Sequence, residues 1–113
     1  MHGNTIEITT MSEFEEVIAK AKADGKLVII DTYASWCGPC KVIAPFFAGL
    51  SVNENYKDNV VFVKVNVDDS PEVSDKLGVR AMPTFYAFKN GEQVDTLTGA
   101  NKDKLVEMIT RHM

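Results

Sequence analysis

The sequence predicts an α/β domain, a mixed sheet layered with helices in the order β-α-β-α-β-α-β-β-α. Three observations carry that prediction. Residues 27–33 (LVIIDTY) form a nearly continuous apolar run of strand length, the pattern of a strand covered on both faces. Strand-like runs then alternate with helix-like ones, and helix start and stop residues fall between them, as layered α/β domains require. Finally, Asn90-Gly91 between two strand-like runs is a tight hairpin signal, so one pair of neighbours is antiparallel and the sheet is mixed.

Residues 5–9 (TIEIT) alternate like a short edge strand. Thr10 or Ser12 opens the first helix, since SEFE fits a capping box, and Met11, Phe14, Val17, Ile18 and Ala21 recur at helical spacing. Gly25 is placed to end that helix in the left-handed conformation. After the buried strand, a helix apolar almost all round (VIAPFFAGL) runs to about Leu50, and Pro45 is expected to kink it. Residues 60–67 (VVFVKVNV) put Val61, Val63, Val65 and Val67 on one face of a strand. Ser70 and Pro71 supply an N-cap and first turn, Val73 and Leu77 face the core, and Gly78 stops the helix. Residues 84–88 (TFYAF) form a strand. The returning strand, about 92–98, alternates poorly. Asn101 caps a last helix with Leu105, Met108 and Ile109 on its buried stripe. The methionines and the Phe46–Phe47 pair are expected to be core packing.

The whole chain, 1–113, reads as a single domain with no repeat, linker or low-complexity stretch. Twelve basic against sixteen acidic residues give a net charge of −4, and no Lys/Arg cluster offers phosphates a landing site. Nucleic acid is therefore not an expected partner. The N-terminal stretch lacks a basic start followed by an apolar run, and no apolar run approaches the ~20 residues that span a bilayer. We expect a cytoplasmic protein with no membrane partner. In such a compartment thiols are held reduced, so a Cys-x-x-Cys pair points to catalysis or metal rather than to a permanent staple.

Both cysteines of the chain lie in ASWCGPCK, residues 34–41. If Cys37 starts a helix, it and Cys40 stand at i and i+3 with Cβ atoms ~5–6 Å apart. A disulfide needs ~3.8 Å, so a small adjustment of one turn closes or opens it. A thiolate at a helix N-terminus faces unpaired N–H groups and the positive end of the dipole, which favours ionisation. Cys37, nearer that end, is the expected nucleophile. Cys40, one turn in and more buried, is the expected resolving thiol. Pro39 suits the first turn, and Gly38 leaves room for another chain's disulfide to approach. Two blander readings stand beside this one. A zinc half-site would need two further ligands, and the only histidines, His2 and His112, sit at the chain ends where a solvated ring is the ordinary expectation. Two buried structural thiols are the other, against which the Gly-Pro turn argues.

WCGPCK following a buried VIID strand resembles the thioredoxin family, and the resemblance runs the length of the chain. Its further marks are Asp31, Pro45, KVNVD at 64–68, VRAMPTF at 79–85, FKNG at 88–91, and Gly99-Ala100. The resemblance implies the thioredoxin fold, a central mixed five-stranded sheet flanked by four helices. It also implies roles. Alone, a carboxylate in VIIDTY would ordinarily be read as exposed at a strand end; the resemblance instead buries Asp31 below Cys40, where desolvation raises its pKa and it takes the Cys40 proton, through water, as general base. Lys64 matches a lysine near that carboxylate, although an exposed lysine on a half-buried strand remains an equal reading. Pro83 matches a cis-proline facing the thiols, and the backbone of Met82 a segment that pairs with substrate by short strand addition. Alone, Pro83 would read as a strand-start proline. Trp36 matches an exposed active-site indole, and Gly78, Val79, Gly99 and Ala100 match loops that flank the docking surface. Two departures are Thr32, where the family commonly has Phe and where a patch of core is thinned, and Met82, where Ile is common.

Together these imply a general protein-disulfide reductase. The Cys37 thiolate attacks a client disulfide, Cys40 resolves the mixed disulfide, and an NADPH-dependent thioredoxin reductase restores the dithiol, with no cofactor bound to the chain itself. Peroxiredoxins, methionine sulfoxide reductase and ribonucleotide reductase are the implied clients, and a monomer the implied state. A disulfide oxidant or isomerase on the same fold, and a redox-dependent binding module, are the alternatives.

Overall fold

The computed structural model describes residues 3–113, so His2 lies outside the described residues. The elements are β1 (Ile6–Glu7), α1 (Met11–Asp24), β2 (Leu27–Tyr33), α2 (Gly38–Val52), β3 (Val60–Asn66), α3 (Pro71–Leu77), β4 (Thr84–Lys89), β5 (Glu92–Thr98) and α4 (Lys102–His112). The order is the one the sequence predicts. The strands form one mixed sheet, β1-β3-β2-β4-β5, with β1 and β2 parallel to β3, and β4 antiparallel to both β2 and β5.

β2 is thus bonded on both edges, and its side chains split between two apolar layers. Leu27 and Ile29 point into a layer closed by Ile43, Phe47 and Leu50 of α2 and by Leu105, Met108 and Ile109 of α4. Val28 and Ile30 point the other way, to Phe14 and Ala21 of α1 and Val73 of α3. Phe47 is fully buried, with its ring edge-on to Phe62 at 5.4 Å and tilted to Phe85 at 5.8 Å. Phe46 is only half-buried, with the Lys102 ammonium 5.5 Å from its ring centre. The methionines divide: Met108 is core, Met11 and Met82 are half-buried, and Met113 is exposed.

Local chemistry sets the element ends. Thr10, not Ser12, caps α1: its hydroxyl accepts from the Glu13 N–H at 3.1 Å while the Glu13 carboxylate accepts from the Thr10 N–H. The box is therefore Thr10–Glu13 rather than SEFE. Gly25 (φ 68°) ends α1 in the left-handed region, its N–H donating to Ala21 and Lys22 carbonyls. Ser70 occupies the N-cap position of α3 but does not cap it; its hydroxyl donates to the Ile8 carbonyl at 3.1 Å, fastening the chain after β1. α2 continues through Pro45 to Val52, two residues past the predicted end. β1 keeps only two of the five predicted residues, the two that pair with Val63 and Lys64.

The weak alternation of β5 has a physical reason. It is an edge strand, its pairing with β4 shifts register between Ala87 and Phe88, and its half-buried row carries Asp95 beside Leu97. Asp95 accepts from Arg111 Nη1 at 2.9 Å and lies 2.9 Å from His112 Nε2, both on α4. His112 is accordingly half-buried and partnered, which corrects the expectation of a solvated terminal ring.

The two adjacent phenylalanines give a test of this packing. Phe47→Ala leaves a cavity between β3, β4 and α2 and is expected to cost ~3–5 kcal/mol of stability in urea unfolding, whereas Phe46→Ala costs less than half of that. Equal losses would place the core on the wrong side of α2.

Candidate functional site: the Cys37–Cys40 pair and its buried carboxylate

Where β2 ends, Ala34, Ser35 and Trp36 turn the chain into α2. Cys37 is the N-cap of that helix (φ −85°, ψ 114°), and Gly38 and Pro39 form its exposed first turn. Cys37 and Cys40 are joined as a disulfide with their Cα atoms 5.3 Å apart. The Cys40 N–H donates to Cys37 Sγ at 3.3 Å. That contact makes Cys37 Sγ the acceptor of an otherwise orphan helix N–H, the arrangement that stabilises negative charge on this sulfur once the disulfide opens. Both cysteines are buried, Cys37 6 % and Cys40 4 % exposed, so the expected difference between them is slight.

The Met82–Pro83 bond is cis, and the Met82 carbonyl oxygen lies 3.7 Å from Cys37 Sγ. Met82 packs against the small cluster of Ala34, Cys37 and Cys40. Gly99 belongs to the same surface: its N–H donates to the Pro83 carbonyl at 2.8 Å, and its φ of 106° is one that a residue with a Cβ rarely adopts. Ala100 beside it is exposed. Trp36 is 69 % exposed, and its indole N–H donates to Asp68 Oδ2 at 3.0 Å. Gly78 and Val79 contribute differently. Gly78 ends α3 at φ 75°, and Val79 packs into the α1/α3 layer.

Asp31 is 1 % exposed, on the central strand, facing the α2 layer. Among the described residues, its Oδ1 is a buried side-chain oxygen without a hydrogen-bond partner. Burial pushes this carboxyl up to about 7; the Lys64 charge opposes the rise and Glu7 adds to it. Lys64 is Asp31's register partner on β3 and sits half-buried with its ammonium 4.4 Å from the centre of the Tyr33 ring. A cavity of about 250 Å³, lined by Tyr33, Ala34, Ser35, Cys40, Lys41, Ala44 and Lys64, opens against Cys40. Thr32 is fully buried and uses its hydroxyl, donating to the Thr84 carbonyl at 2.7 Å. Among the described residues, no three His, Cys, Asp or Glu side chains gather to share an ion.

The family model described as thioredoxin matches residues 5–111. The chain belongs to the thioredoxin family. Its curated thioredoxin relatives include one from Equus caballus, 50 % identical over 88 % of this chain and 90 % of that protein. An H-type thioredoxin of Chlamydomonas reinhardtii is 41 % identical over 99 % of this chain and 97 % of its own. Among solved structures, the Fasciola hepatica thioredoxin superposes with a TM-score of 0.89 at 42 % identity, covering 96 % of this chain and 99 % of that one. With a disulfide-forming Cys pair in the thioredoxin fold, the chain is a thiol–disulfide oxidoreductase. No helix among the described residues is long and apolar enough to cross a membrane.

Sequence reasoning gave no role to Asp68, Tyr33 or Glu7, all of which the thioredoxin fold brings to the site. The Tyr33 hydroxyl donates to Glu7 Oε1 at 2.8 Å. Tyr33 stands two residues after Asp31, on the same strand face, which was the available signal.

The buried carboxyl makes a prediction about stability. Its folded-state value, about 7, lies above the ordinary 3.8, so the folded chain holds this proton more tightly than the unfolded one. The resulting stability is complete below about pH 4 and is lost as pH rises to about 7, a loss of about 4 kcal/mol for some three pH units. Urea unfolding of the oxidised protein from pH 4 to 8 should show that decline, and Asp31→Asn should remove it. Parallel curves would return Asp31 to an ordinary carboxylate.

Proposed function

We propose that the chain is a general protein-disulfide reductase of the cytoplasm that acts as a monomer. The observation that carries this reading is the Cys40 N–H donated to Cys37 Sγ at the start of α2. It favours Cys37 as the leaving and attacking sulfur in exchange. In the forward direction, the Cys37 thiolate attacks one sulfur of a client disulfide, displaces the other as a thiolate, and forms a mixed disulfide. Asp31 then receives the Cys40 proton through water in the adjoining cavity. The Cys40 thiolate attacks Cys37 Sγ, releasing the second client thiolate, which takes up a proton. The client gains two electrons and the Cys37–Cys40 disulfide reforms.

The Met82 backbone beside Cys37 suits pairing with an extended client segment, with Trp36, Gly38, Pro39, Pro83, Gly99 and Ala100 framing that surface. Lys64 moderates the proton affinity of Asp31. Electrons arrive from NADPH through a thioredoxin reductase, with no cofactor on the chain itself. Peroxiredoxins, methionine sulfoxide reductase and ribonucleotide reductase are the proposed clients, to which the chain donates electrons in maintaining cell redox balance.

Three measurements test the reading. Cys40→Ser should capture clients as mixed disulfides through Cys37, and Cys37→Ser should capture none; capture by the latter alone would reverse the order of attack. The equilibrium potential of the pair should lie well below the glutathione poise. A value on the oxidising side of that poise would make the chain a disulfide oxidant or isomerase. Client binding retained by the double Cys→Ser variant, without turnover in the parent, would make it a redox-dependent binding module.

A further inference from the structure

One row of the sheet carries three charged residues from adjacent strands. Glu7 of β1 pairs with Lys64 of β3, and Lys64 pairs with Asp31 of β2. Residues paired in this way project to the same face, so the Lys64 side chain leaves the sheet between those of Glu7 and Asp31. The row runs from solvent to core: Glu7 is exposed, Lys64 half-buried and Asp31 buried. Tyr33 ties the outer part together, its hydroxyl donating to Glu7 Oε1 at 2.8 Å while its ring lies 4.4 Å from the Lys64 ammonium. Tyr33 and Lys64 both line the cavity that reaches Cys40. The other charged group on that cavity is Lys41 of α2.

We propose that Glu7 and Tyr33 are positioning residues, an outer brace that holds Lys64 at the mouth of the Cys40 cavity and divides its charge between buried Asp31 and exposed Glu7. A free lysine chain samples many rotamers and would follow the strongest charge. Here the strongest pull is toward Asp31 as it ionises. Glu7, fixed by the Tyr33 hydroxyl, offers the ammonium a second anion, and the aromatic face beneath it supports the intermediate position. The brace thereby keeps Lys64 from fully neutralising Asp31, and a carboxylate that retains its proton affinity is the better acceptor for the Cys40 proton. The Glu7 charge acts on Asp31 in the same sense. The inference rests on the reading of Asp31 as the base for Cys40.

The test follows the Asp31 carboxyl directly, by 13C NMR titration of the oxidised protein. Glu7→Gln changes an exposed edge residue and leaves the core intact. It is expected to lower the Asp31 midpoint by ~0.5 pH unit. Tyr33→Phe keeps the ring and removes the tie, and should move the midpoint in the same direction by less. An unmoved or raised midpoint in Glu7→Gln overturns the brace. The rate at which Cys40 resolves a preformed mixed disulfide is then measured across the same pH range. A rate profile that moves with the midpoint supports both the brace and the role of Asp31. A midpoint that moves under an unchanged rate profile supports the brace and overturns Asp31 as the base.

Discussion

β2 is hydrogen-bonded along both edges and covered on both faces, and the site is built on that confinement. Because the strand cannot move without disturbing two apolar layers, the turn that follows it delivers Cys37 to the start of α2 in a fixed place. The same confinement makes Asp31 costly. A carboxylate in this strand has no solvent and, at Oδ1, no donor among the described residues, so it holds its proton into the neutral range. Stability is given up at neutral pH to keep this carboxyl in the core of the sheet, the kind of cost that marks a candidate functional residue.

The thiols themselves need little else. Helix geometry brings Cys37 and Cys40 within reach of one another, and the helix start offers an N–H to the outer sulfur. The surface around them is built by neighbouring backbone and loops. The Met82 carbonyl beside Cys37 and the Gly99 tie to Pro83 place two separate loops on one surface.

Much of this was legible in the sequence because the signals were local. The apolar run of β2, the Gly25 and Gly78 helix ends and the Asn101 cap each depend on a few neighbouring residues, and each was found where expected. The failures involve partners far apart in the chain. Ser70 resembles a cap until Ile8, sixty-two residues away, claims its hydroxyl. His112 resembles a frayed terminus until Asp95 meets it across α4 and β5. Glu7 is anonymous in TIEIT until β1 pairs with β3, since parallel register is set by the whole sheet rather than by either strand. Asp31 lay between the two: its position in the run was plain, but local propensity favoured exposure, and the family resemblance placed it inside.

The shifted register between Ala87 and Phe88 has a consequence for the far side of the molecule. β5 is a seven-residue edge strand whose outer rim could template another chain. The irregularity twists that rim, and exposed Glu92 charges it, both of which discourage accidental strand pairing. Extended segments that approach the sheet therefore find an inhospitable border there. Protection against accidental pairing thus lies along the β5 edge of the hairpin, while the Gly99 turn that follows β5 ties back to Pro83 near Cys37.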